Sequence, residues 1–184
     1  MFDRLLDVIE RDIVPKTRAE VVTGSKVFGA AVLLRADLSL VLAETNHEAY
    51  SPLWHGEVYT IKMFYEKQEH PDAGDCVFLS THQPCCMCAS ALAWAGFREI
   101  YYLFGYDHTE ADFNIPHDRR MIRELFGCKE PVPHNYYFKW RSIPEMAKTM
   151  PNPKSAEVRI ARIKATYAEL SEIYQNGEKR MVLQ

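Results

Sequence analysis

A chain of 184 residues, 47% of them apolar, has the length of one ordinary domain and enough apolar side chain to enclose a core, so residues 1–184 are read as a single domain. Its densest apolar region, residues 28–43, is broken by Arg35 and Asp37, which excludes the roughly 20 unbroken apolar residues of a membrane helix. The net charge of −3 disfavours nucleic acid as a partner, since phosphate binding needs clustered Lys and Arg, although it does not exclude it.

Phe2, Leu5, Leu6, Ile9 and Ile13 recur at helical spacing and predict an amphipathic helix over 2–14, stopped by Pro15. The opening Met1-Phe2-Asp3-Arg4 has no apolar signal core behind it, and a cytoplasmic protein is expected. Two β-rich runs, 27–35 and 38–44, flank Ala36-Asp37 and read as a hairpin, followed by a loop over 45–54. Val58, Ile61, Met63, Phe64 and Tyr65 predict a buried helix over 53–65, with His55 and Glu57 in its first turn. Residues 76–81 have strand length, and Pro84 opens a helix over 85–95 that Gly96 closes. A strand over 100–104, an irregular segment to residue 116, a helix near 118–126 stopped by Gly127 and a strand over 136–141 follow. A last helix over 155–175 carries the stripe Ile160, Ile163, Tyr167, Leu170 and Tyr174. Strands alternating with helices over one compact length predict an α/β layered domain with helices on both faces of one sheet.

Five cysteines form an odd set, three of them in Cys85-Cys86-Met87-Cys88, which suits metal ligation in a reducing compartment better than disulfides. Cysteines at i and i+3 on an opening helical turn project to one side, so both thiolates reach one ion. A third ligand from another helix leaves one position open, which is the arrangement of a catalytic zinc site. Helix N-termini lower the pKa of coordinating thiols and help such a site activate water near neutral pH. Glu57, two residues after His55, falls beside the open position and is suited to shuttle protons.

His55-Gly56-Glu57 with Pro84-Cys85-Cys86-Met87-Cys88 is an H-x-E and P-C-x-x-C pair, and through it the chain resembles the cytidine-deaminase-like superfamily of zinc deaminases over roughly residues 28–126. The resemblance implies a three-layer α-β-α fold around a mixed sheet of about five strands. It implies Zn2+ as cofactor, His55, Cys85 and Cys88 as its ligands, Glu57 as acid and base, and the Gly56 amide facing the substrate. Asn46, just before the H-x-E helix, is the expected reader of the base, its alternative being a turn residue that supports its own loop. His-Gly-Glu is similar to fungal cytosine deaminases, whereas Thr109-Glu110-Ala111 with the helix after it is similar to bacterial guanine deaminases. Glu110 is then the expected acceptor for the N–H groups of guanine, weighed against an ordinary solvated loop acid. Gln83 departs from the Glu or Ser that many relatives carry before the proline, which bears on substrate and not on zinc.

Phe104 is weighed as a base-stacking residue or a core aromatic, while Cys76 and Cys128 are expected to be buried. The activity expected is hydrolytic removal of an exocyclic amino group from a nucleobase or small heterocycle, a guanine-type purine being favoured, with release of ammonia. The alternatives are a cytosine or nucleoside deaminase, a tRNA adenosine deaminase served by Arg119, Arg120 and Arg123, and a non-catalytic zinc scaffold. Residues 127–184 match no subfamily and are expected to cap the pocket or to contribute to a homo-oligomer, a dimer by resemblance.

Overall fold

A computed structural model describes residues 1–111 and 117–177. The helix expected to stop at Pro15 continues: α1 (Phe2–Val8) passes through a π-helical turn (Ile9–Ile13) into α2 (Val14–Val21). The Val14 N–H bonds the Ile9 carbonyl five residues back, so a new helical segment starts there and Pro15 lies in its first turn, where a missing N–H costs nothing.

Strands β1 (Gly29–Leu34) and β2 (Leu40–Thr45) form the expected antiparallel hairpin, with Leu38 at φ 61° in its turn. Helix α3 (Gly56–Glu66), strand β3 (Cys76–His82), helix α4 (Cys86–Trp94) and strand β4 (Glu99–Phe104) follow as read from the sequence. Part of the segment expected to be irregular is helix α5 (Tyr106–Ala111), and residues 112–116 lie outside the described residues. Next come α6 (His117–Phe126), β5 (Lys139–Ser142), α7 (Ile143–Lys148) and α8 (Pro153–Asn176). The short α7 was not expected, although Ser142 caps it by accepting from the Glu145 N–H and Pro144 sits in its first turn.

The five strands run β2-β1-β3-β4-β5, with β1 antiparallel to both neighbours and β3, β4 and β5 parallel. This is the α/β three-layer, five-stranded mixed sheet of the cytidine-deaminase-like fold. Side-chain alternation assigns the faces. Ala31, Leu33, Val77 and Leu79 pack with Leu5, Leu6, Ile9 and Ile13 of the N-terminal helices and with Ile163 and Tyr167 of α8. Ala30, Val32 and Phe78 face the other way, towards Phe64 of α3, Leu92 of α4 and Ile122 of α6. Every residue of β3 is buried, as a central strand covered on both sides must be. Among the described residues no helix is long and apolar enough to cross a membrane.

Candidate metal centre

Helices α3 and α4 lie on the same face of the sheet and bring their N-termini together. His55 is the N-cap of α3 and Cys85 the N-cap of α4, both with extended backbone, and neither side chain caps its own helix. Those two side chains are therefore free to turn towards each other, and Cys88, one turn into α4, joins them from the same side. His55 Nδ1 lies 3.6 Å from the Sγ of Cys85 and 3.6 Å from that of Cys88, and the two sulfurs are 3.5 Å apart. These three ligand atoms form the cluster, among the described residues, in which a metal ion fits.

The protonation chemistry of the trio fits a dication. Burial works against charge on His55, but the Cys85 thiolate, with Glu48 and Glu57 nearby, raises the imidazole to about 9. The hydrogen bond from Cys88 draws Cys85 well below an ordinary thiol, against its burial, while burial and the Cys85 charge push Cys88 up. Zinc ligation needs a neutral imidazole and thiolates, and a bound cation holds all three in those forms at once. Two sulfurs and one imidazole nitrogen match the soft donor set of zinc and leave a fourth position. The residues present thus fit Zn2+.

Glu57 stands beside this trio and is 4% exposed. Burial and the Cys85 charge raise its carboxyl above the usual range, so it holds a proton more readily than an exposed acid. Ser80 Oγ, on the central strand, lies 2.9 Å from Glu57 Oε1 and 2.6 Å from the His82 carbonyl. The Ser80 hydroxyl donates to Glu57 Oε1, which favours the charged carboxylate and partly offsets the effect of burial. Sequence reasoning passed over Ser80, whose one signal was a hydroxyl within the apolar run of β3.

The other expected site residues are distributed differently. Asn46 is fully buried, its Oδ1 accepting from the Gly56 N–H and its Nδ2 donating to Glu48 at 2.8 Å. The Gly56 amide is thus engaged by Asn46. Glycine is required at this position by close approach, since a Cβ would come within 2.8 Å of Gly29 Cα and 2.9 Å of the Phe28 carbonyl oxygen. Phe104 is 1% exposed and stacks on His82 at 4.6 Å, in the layer of aromatics that continues to Tyr167. Glu110 is exposed and pairs with Arg119 at 3.2 Å, outside the trio. Arg119 is held in addition by Asp107 and by Glu130 at 2.9 Å. Cys128, expected to be buried, is exposed, because it follows α6 rather than entering the core.

A small cavity of about 10 Å³ adjoins His55, Cys85 and Glu57, enclosed by Phe28, His82, Gln83 and Asp118. Asp118, in the first turn of α6, was not singled out from the sequence, where a charged residue in a polar helix gives no sign of burial. Here burial and the Cys85 charge raise its carboxyl to about 7. Of residues 127–184, expected to cap the pocket or to contribute to an oligomer, the described part supplies the edge strand β5 and helices α7 and α8, and α8 packs on the face opposite α3 and α4.

Residues 12–104, just over half of the chain, match the cytidine and deoxycytidylate deaminase zinc-binding region. Among solved structures the chain is similar to guanine deaminase from Nitrosomonas europaea, with 19% identity over 85% of this chain and 81% of that one and a TM-score of 0.55. It is similar to guanine deaminase from Bacillus subtilis, with 21% identity over 72% of this chain and 82% of that one and a TM-score of 0.52. A tRNA:A34 deaminase, with 19% identity over 84% of this chain and 97% of that one, gives a TM-score of 0.51. At such identities these likenesses show a shared fold. No protein of curated function matches by sequence. With the family region spanning β1 to β4 and the trio at the heads of α3 and α4, the chain belongs to the cytidine and deoxycytidylate deaminase zinc-binding family.

Proposed function

We propose that the protein is a zinc-dependent hydrolytic deaminase of a nucleobase or closely related small heterocycle, a guanine-type purine being favoured. The observation that carries this reading is a buried carboxylate, Glu57, beside three N/S ligand groups that leave a position open. A structural zinc site has four protein ligands and no use for such a carboxyl. Zinc held by His55, Cys85 and Cys88 supplies the Lewis acid that makes water nucleophilic near neutral pH.

The chain's own residues do the rest. Glu57 accepts the proton that water loses as its oxygen bonds to the ring carbon and delivers it to the adjacent ring nitrogen; it then takes the second proton, from the new hydroxyl, and gives it to the amine as the exocyclic C–N bond breaks and the C–O bond becomes a carbonyl. Ammonia leaves and a ring carbonyl remains. Ser80, donating to Oε1, keeps the Glu57 carboxyl aimed and favours its charged, proton-accepting form. The cavity has room for about one water molecule, so a heterocycle enters only as the enclosing side chains move apart.

The purine preference is supported by a carboxylate at the cavity. Asp118 lines it, and a carboxylate is an acceptor for the N–H groups of a guanine-type edge. Glu110, the acceptor expected from the sequence, is instead spent on Arg119 at the surface.

Ammonia release by the zinc-loaded protein across free bases, nucleosides, nucleotides and other amino-heterocycles tests this, with Glu57→Ala as control. Turnover of one purine base, lost in the variant, is expected. Turnover restricted to cytosine-type rings keeps the chemistry and overturns the role given to Asp118. Silence on all small molecules, with salt-sensitive binding of RNA, overturns the small-molecule reading.

A further inference from the structure

We propose that Glu48 is a positioning residue of the metal centre, holding His55 in the tautomer and ring orientation that leave Nδ1 free to bind zinc. The proposal rests on the zinc reading of the site. A neutral imidazole carries one proton, and whichever nitrogen has it cannot coordinate a metal. His55 Nδ1 faces the two sulfurs, 3.6 Å from each, while Nε2 on the far side of the ring lies 3.5 Å from Glu48 Oε1. A carboxylate only accepts, so the ring proton is drawn to Nε2 and the Nδ1 lone pair is left for the ion. At that distance the contact is electrostatic rather than a formed hydrogen bond; what makes it a guide is that Glu48 cannot wander.

Three donors fix the carboxylate, whose side chain is 11% exposed. Lys26 Nζ reaches Oε1 at 2.6 Å, the Lys26 N–H reaches Oε2 at 3.2 Å, and Asn46 Nδ2 reaches Oε2 at 2.8 Å. The Lys26 ammonium offsets the cost of enclosing the negative charge. Asn46 in turn accepts from the N–H of Gly56, the residue next to His55. One short loop, 46–48, therefore holds the ligand twice: through the ring by Glu48 and through the neighbouring backbone by Asn46. Carboxylates that accept from the second nitrogen of a metal-bound histidine set its tautomer and its basicity, and their loss typically costs about 10–100-fold in metal affinity.

The test is zinc affinity of the purified protein by chelator competition, for wild type, Glu48→Gln and Glu48→Asp, with thermal unfolding of each metal-free form. Glutamine keeps the shape and removes the charge and the strict acceptor. Zinc binding about 10–100-fold weaker in Glu48→Gln, with metal-free Tm unchanged and a smaller loss in Glu48→Asp, is expected. A second readout is the Nε2–H proton resonance of His55 in the zinc-bound protein, which is expected to move upfield in Glu48→Gln. Unchanged affinity in Glu48→Gln, or a loss fully accounted for by unfolding of the metal-free form, overturns the role of Glu48. Wild-type protein that fails to hold one zinc overturns the metal centre itself, an outcome distinct from a tight wild type with an equally tight variant.

Discussion

The two faces of the sheet are built on different principles. On the α1, α2 and α8 face the buried side chains are mostly apolar, and the polar contacts sit at the rim, where Arg159 and Arg162 clasp Asp3, Asp7 and Glu10. On the α3 and α4 face the core gives way, at the helix heads, to buried polar groups: Glu57, Ser80, Asn46 and the ligand trio. Burying a polar group is costly unless it is partnered, and here the partners are partly other members of the site and partly an ion. One face holds the fold; the other holds chemistry at some cost to stability.

The contrast can be broken most severely at Glu57. Glu57→Ala is expected to lower turnover about 10²–10⁴-fold while zinc content stays at one per chain, checked by steady-state ammonia release and metal analysis. The opposite face should answer in the other currency. Ile163→Ala, at 1% exposure in the α8 stripe, is expected to lower stability by about 2–5 kcal/mol in denaturant unfolding, with turnover per folded molecule unchanged.

A pH experiment sharpens the comparison further. The Asp118 carboxyl is raised in the folded metal-free protein to about 7, by burial and then by the Cys85 charge, from an ordinary value of 3.8. A raised carboxyl contributes stability that is complete below the unfolded value and is lost as pH climbs through the folded one. Between those limits wild-type metal-free protein should therefore lose up to about 1.4 kcal/mol per pH unit relative to Asp118→Asn, measured by unfolding across pH 4 to 8. The smallest effect belongs to the rim: Arg162→Ala, which leaves Arg159 on Glu10, is expected to cost at most about 1 kcal/mol with activity untouched.

Much of the fold was legible because its elements carry periodic signals. The Cys76–His82 strand, the helix after Pro84 and the striped α8 are long or apolar enough to announce themselves. The six-residue α5 and α7 are too short for a period to show. Pro15 misled for a physical reason: it stops an α-helix only where the preceding turn is α-helical, and here a π turn precedes it. Within the site, His55, Cys85, Cys88 and Glu57 were legible because ligand spacing is a local property of one helical turn. Glu48, Ser80 and Asp118 were not, because each reaches the centre from a different element.

By itself the sequence determined the candidate metal-ligand trio, the carboxyl that stands beside it and the alternation of strand and helix, since spacing within a turn and periodicity along an element are set by neighbours in the chain. The tertiary structure decided which carboxylate lines the cavity, Asp118 rather than Glu110, and what Asn46 bonds in the free protein. It also brought Glu48 behind His55. Burial and long-range hydrogen bonding depend on how elements pack, and identical acidic residues acquire different chemistry according to what surrounds them.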